Sequence, residues 1–329
     1  MNKLSCLIVA AFFVKYVFPN EDEGTKPAED GQFPFFVQIL ITGLPELGSM
    51  NTTHCGATLI DIKWILSAAH CFTAKVNGTL PPVVFEKNLV QAFMGSTTKV
   101  GTPEAHNLTS RYVEKAYLHP KFVPVLEQNN FMSYDIAVAL LKEPFTLTDN
   151  VRTIILPDKK SKTDLCSNGV VTGIGTVDFD GINREVVQYT NATSLTPDKV
   201  KVGYKDDITN ATFFFSKAKF VQGHAVFGDS GAPFLCYSVP DDPIQYGITS
   251  MSIFDFDAET LYTKFESVDK YIKFIRSYVP FQSVRARHVD NQIKHPNKKS
   301  PSPQKASSAI RRRISGTLFI IILFITSFS

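Results

Sequence analysis

Helical periodicity is scarce before residue 266, no Cys-x-x-Cys pair occurs, and neither sign of charge dominates, with 34 Lys and Arg against 31 Asp and Glu. Each shortage excludes something. Without apolar residues recurring every three to four positions, a helical bundle has no face to bury. Without closely spaced thiol pairs there is no pattern for a zinc site, and no residue is assigned to a metal. The formal charge of +3 is small, nothing resembles a nucleic-acid-binding fold, and no nucleic-acid partner is expected. The basic excess is also confined. From Arg285 to Arg313 the only acid is Asp290, so the rest of the chain is slightly acidic and this stretch reads as a solvated spacer.

What is present is ordinary globular composition, 44% hydrophobic and 20% charged over 329 residues. Phe35–Leu40, Ile136–Leu141, Val170–Ile174 and Thr212–Phe215 are rich in β-branched, aromatic or other apolar residues. Gly, Pro and Asn clusters separate such runs, which predicts many short strands and an all-β fold.

Both ends read as targeting segments. Leu4–Val14 is almost wholly apolar behind one basic residue, Lys3, and Lys15 ends the run. That is the length of a secretory leader core and too short to span a bilayer, so residues 1–20 are expected to be a leader. Five N-x-[ST] sequons follow, at Asn51, Asn77, Asn107, Asn191 and Asn210, in keeping with a secreted glycoprotein. The globular domain is expected over 21–280 and a basic flexible stalk over 281–308. Residues 309–329 form a tail: small residues at Ser307-Ser308-Ala309, a polar stretch to Gly316, then the apolar Thr317–Ser329. This is the pattern of a GPI-attachment signal. A membrane-embedded tail is the alternative, though Ile314–Ser329 is short for it. Either would hold the protein at a membrane, and a secreted protein without an anchor is the third alternative.

Cys6 leaves with the leader. Cys55, Cys71, Cys166 and Cys236 remain, an even number suited to two disulfides with three possible pairings.

Acyl transfer to water needs a nucleophile, a base, a carboxylate to orient the base, and donors for the oxyanion. One candidate exists for each. Trp64-Ile-Leu-Ser-Ala-Ala-His70-Cys71 sets a His after an apolar strand. Tyr134-Asp135-Ile-Ala-Val-Ala-Leu-Leu141 puts a carboxylate at the mouth of another. Gly228-Asp229-Ser230-Gly231 places a Ser among glycines, which let the backbone turn sharply and aim N–H groups at one point. Taken singly, the His can be structural, the Asp a turn residue and the Ser part of any tight loop.

Together these motifs closely resemble the trypsin-like serine peptidase family, in its order His, Asp, Ser and at its spacing. The resemblance covers about Gly24 to Val279. It includes Gly31-Gln-Phe-Pro-Phe35, Cys55-Gly-Ala, Leu156-Pro157, Val171-Thr-Gly-Ile-Gly175, and Leu261-Tyr-Thr-Lys264 before a helix over Glu266–Tyr278. It implies two six-stranded antiparallel β-barrels with a C-terminal helix. It implies disulfides Cys55–Cys71 and Cys166–Cys236, each contributing about 2–4 kcal/mol. It implies a secreted endopeptidase needing no cofactor, with protein or peptide substrates and macromolecular inhibitors as partners. By the same resemblance Ser230 attacks the carbonyl, His70 carries the proton, Asp135 orients His70, and the N–H groups of Gly228 and Ser230 bind the oxyanion.

Two departures stand out. Where the family has an Ile-Val-Gly-Gly-like terminus that inserts beside the Asp before the nucleophile, this chain reads Glu21-Asp-Glu-Gly-Thr25. Asp229 therefore takes a different partner, or the domain stays zymogen-like or inert, and a catalytically weak protein-binding homologue is the alternative function. The expected specificity pocket has His224 at its base, with Ser250, Ser252 and Thr260 on its walls, and Val226 replaces a pocket Cys. His224 is either a neutral wall or a site for an acidic side chain. Cleavage after Arg or Lys is not expected.

Overall fold

The computed structural model describes residues 25–42, 53–74, 83–85, 88–103, 105, 107–124, 132–157, 166–175, 185–200, 211–219, 229–237, 243–255, 258 and 260–280. The expected leader, stalk and tail lie outside the described residues, as do His224, Val226 and Gly228.

The strands run in chain order as β1 (Lys26–Pro27), β2 (Phe36–Ile41), β3 (Thr53–Asp61), β4 (Trp64–Ser67), β5 (Thr73–Ala74), β6 (Val83–Val84), β7 (Val90–Met94) and β8 (Thr109–Leu118). They continue with β9 (Ala137–Leu141), β10 (Asn168–Gly173), β11 (Gln188–Thr193), β12 (Phe213–Lys219), β13 (Pro233–Tyr237), β14 (Pro243–Asp255) and β15 (Thr260–Ser267), before helix α1 (Val268–Tyr278). The four runs expected as strands fall on β2, β9, β10 and β12.

β2, β3, β4, β9, β8 and β7 close into a six-stranded barrel. Burial on β7 alternates, with Val90, Ala92 and Met94 buried and Gln91 and Phe93 partly exposed, the period that the pleat imposes. β2 and β9 are apolar almost throughout and supply Ile39, Ile41, Val138 and Leu141 to the core.

The second sheet has the order β1-β11-β10-β13-β14-β15-β12. It curls until Leu195, just past β11, exchanges both backbone hydrogen bonds with Phe215 of β12. Six strands thus make the half expected from the sequence, and β1 adds a seventh beside β11. Phe214, Phe234 and Phe265 pack ring against ring at 5.1–5.2 Å between centroids, geometry that aromatic pairs favour.

α1 buries Val268, Tyr271, Ile272 and Ile275, the spacing of one helical face. It starts two residues later than expected, because Glu266 and Ser267 are still paired in the sheet, with Phe213 and Gly247.

Both disulfides form as the resemblance implied. Cys55–Cys71 ties β3 to the turn after β4, and Cys166–Cys236 ties the entry to β10 onto β13, with Cα separations of 6.2 and 5.8 Å.

Candidate active site

His70 sits on a single 3-10 turn, Ala69–Phe72, directly after β4. The fully buried Ala68 and Ala69 let this turn pack against the barrel. Asp135 precedes β9, the strand paired with β4, so the register Ser67↔Ala137 carries His70 and Asp135 to the same end of the barrel.

The two are joined twice. The His70 backbone N–H donates to Asp135 Oδ1 at 2.9 Å, and His70 Nδ1 lies 2.8 Å from Oδ2. An ionised carboxylate only accepts, so the proton belongs on Nδ1 and Nε2 is left as the basic nitrogen. Asp135 is fully buried. Burial pushes its carboxyl up, but the His70 charge and hydrogen bonds from His70 and Ser250 more than offset this and hold it below the ordinary carboxylate range.

Ser230 occupies the turn that leads into β13. Its carbonyl accepts from Gly56 N–H at 2.7 Å, while Gly231 N–H donates to Thr249 O at 2.7 Å. Gly231 has φ +83°, a region that favours glycine, and a Cβ there would collide with Ser67 and Gly56. Gly56 also accepts from the Ser67 hydroxyl at 2.8 Å, so one residue of β3 fixes both the His-bearing strand and the Ser-bearing turn. Cys71 Sγ lies 3.5 Å from Ser230 O and 3.9 Å from His70 Nε2. The structure therefore brings the Ser230 backbone to the Nε2 side of the imidazole, across one disulfide sulfur. Cys55, His70 and Cys71 cluster within 4.8 Å, but both sulfurs are spent in the disulfide and are not available as thiolate ligands.

Ser250, Ser252 and Thr260, expected on the pocket walls, lie on β14 and β15. Ser250 is buried on β14 and donates its hydroxyl to Asp135 Oδ2 at 2.7 Å, so only its backbone is left to line a pocket. Ser252 pairs with Thr263, and Thr260 starts β15 opposite Asp255. Ser252 and Thr260 are half-buried, and Thr260 donates to Ala258 O at 2.9 Å.

Asp229 is turned inward, 3% exposed. Gly175 N–H donates to its Oδ1 at 2.9 Å. A Cβ on Gly173 would collide with the carboxylate, so this close approach needs glycine. Oδ2 has no hydrogen-bond partner among the described residues. Burial pushes the carboxyl up to about 7, against the opposing pull of the Gly175 and Ile174 amides and the Lys99 charge. A small cavity beside it is lined by Thr25, Gly173, Gln188, Tyr189 and Thr190, among others.

Two contributors were not singled out in the sequence. Gly56 looked like part of a family mark, and nothing local announces that it bonds Ser230. Lys264 stood only at the end of the family mark Leu261-Tyr-Thr-Lys264, and nothing local announces that it is wholly buried.

The family model described as Trypsin matches residues 22–275. Transmembrane protease serine 11A of Homo sapiens is 28% identical over 204 residues, 61% of this chain and 43% of that protein. Tonin of Rattus norvegicus is 26% identical over 213 residues, 62% of this chain and 73% of its own length. Proclotting enzyme of Tachypleus tridentatus is 27% identical over 217 residues, 64% of this chain and 54% of that protein.

Proposed function

Because the chain belongs to the Trypsin family, we propose that it is a serine-type endopeptidase in which Ser230 attacks the peptide carbonyl. His70 Nε2 takes the hydroxyl proton and later passes it to the leaving amine. Asp135 holds the imidazole in the Nδ1–H tautomer and stabilises its cation. The N–H groups of Ser230 and Gly228 bind the oxyanion, where loss of one donor typically costs about 3 kcal/mol. The observation that carries this reading is the double contact of His70 with a buried, ionised Asp135, beside the Ser230 turn. The substrates are proteins or peptides.

The two disulfides support an oxidising compartment outside the cytosol. With the N-terminal apolar segment and the exposed sequons at Asn107 and Asn191, they favour a secreted protein. The apolar tail favours one held at the cell surface through a C-terminal lipid, with a membrane-embedded tail as the alternative. Release by a phosphatidylinositol-specific phospholipase is the expected result. A cell-bound protein that keeps Thr317–Ser329 refutes the lipid.

Covalent labelling by a fluorophosphonate tests the enzyme reading. The wild-type chain should label, and Ser230→Ala should not. The second reading is a catalytically weak homologue that binds proteins. A wild-type chain that does not label would turn the case to that reading.

A further inference from the structure

Lys264 and Glu266 lie on β15 and are both 0% exposed. Lys264 Nζ is 2.6 Å from Glu266 Oε1 and stands over the Phe213 ring at 4.7 Å. Glu266 is in turn bonded by the hydroxyl of Tyr271, from α1, and that hydroxyl also lies 2.7 Å from Thr212 Oγ1. Burial pushes the Tyr271 phenol far up, and the Glu266 charge adds to this, so the phenol stays protonated.

A buried ion pair of this kind rarely adds net stability over apolar residues of the same size. Its value must lie in what it orients. The remaining contact of Lys264 is the informative one. Nζ donates at 2.6 Å to the carbonyl of Met132, which belongs to the β8–β9 connection of the other barrel, three residues before Asp135.

That connection needs external support. Tyr134, immediately before Asp135, has φ +53°, a costly conformation for an aromatic residue. Strain of this sort persists only where the surroundings hold it. Among the holds, Ser133 exchanges backbone hydrogen bonds with Val123, the Tyr134 ring stacks on His119 at 5.0 Å, and Lys264 grips Met132. From the second sheet come the grip on Met132 and, at the loop's end, the bond of Ser250 to Asp135.

We propose that the Lys264–Glu266 pair is a positioning device that sets the Met132–Asp135 loop against His70 from the opposite sheet. It rests on the endopeptidase reading for its consequence in catalysis, but not for its structural content. Lys264 is a positioning residue, acting through Asp135 and touching no reacting atom.

The test uses the full chain with Lys264→Met and Glu266→Gln together, so that no buried charge is orphaned. Two quantities are read. The first is the rate of fluorophosphonate labelling against pH. It should fall about tenfold at its plateau, because a loosened Asp135 no longer holds the imidazole in place. The second is hydrogen exchange of the His70 amide and of residues 132–136, which should lose protection. Lys264→Arg, which keeps the charge pair but replaces the point contact on Met132 with a planar fork, should move both in the same direction and serves if the double variant does not fold. A drop in melting temperature with unchanged labelling and unchanged protection at 132–136 overturns the proposal and leaves a purely structural pair. If the wild-type chain does not label, the endopeptidase reading fails, and hydrogen exchange still decides the positioning role.

Discussion

The hydroxyl of Ser250, on β14 of the second sheet, donates across 2.7 Å to Oδ2 of Asp135, at the edge of the first barrel. The carboxylate is thus bonded from both halves of the fold, by His70 from its own barrel and by Ser250 from the other. This bond is buried and charge-assisted, a class that typically contributes about 1.5–3 kcal/mol.

Ser250→Ala should lower stability near pH 7 by about 2 kcal/mol. Asp135 has a depressed folded pKa, so its contribution is present above the ordinary carboxylate value of 3.8 and is lost as pH falls through the folded value. Removing one of the groups that depress it narrows that window. The acid-unfolding midpoint of the variant should move to higher pH, read by fluorescence or circular dichroism. An unchanged midpoint would show that Ser250 does not stabilise the ionised form.

Asp229→Asn should have the opposite pH signature. The Asp229 carboxyl is raised from 3.8 to about 7 in the folded chain. Between these values the folded state keeps a proton that the unfolded state releases, so stability falls as pH rises, then levels off above about 7. Asn carries no such proton. The melting temperature of the variant relative to wild type should therefore climb from pH 4 to pH 7, by an amount equivalent to at most about 4 kcal/mol. A difference that stays flat across that range refutes the buried, raised carboxyl of Asp229.

The two disulfides should separate by function. Cys166–Cys236 closes 70 residues and Cys55–Cys71 closes 16, which loop entropy values at about 4 and about 3 kcal/mol. Only the second borders His70 and Ser230. At a temperature where both Ser-substituted pairs are folded, labelling per folded molecule should hold for Cys166→Ser with Cys236→Ser. It should drop for Cys55→Ser with Cys71→Ser. Equal rates in both variants would remove Cys71 from any part in shaping the site.

Peptides with Arg or Lys before the cleaved bond should be poor substrates. A cation deep in a pocket needs a carboxylate, and His224 stands at the position expected to supply one. A neutral imidazole cannot replace the charge, and a protonated one repels it. A peptide library varied at that position decides the matter. Strong preference for Arg or Lys would mean that other residues build the pocket.

The sequence by itself determined the β class, the three motifs and the segments that bear them. A strand is announced by a run of β-branched, aromatic or other apolar residues, as on β2 and β9, and a sharp turn by its glycines, as at Gly231. These are local signals, carried by residues close in the chain. Helix α1 was legible too, except for its first two residues, where pairing with β12 and β14 overrode the local pattern. Only the tertiary structure decided that Ser250 serves Asp135 over a separation of 115 residues, and that Lys264 grips Met132 over 132. It also decided that Asp229 points into the Gly173–Gly175 turn and is raised there. A serine or lysine on a strand looks the same whether it faces water or another sheet. What it meets depends on how two sheets pack and curl, a property of the whole chain that no stretch of a few residues encodes.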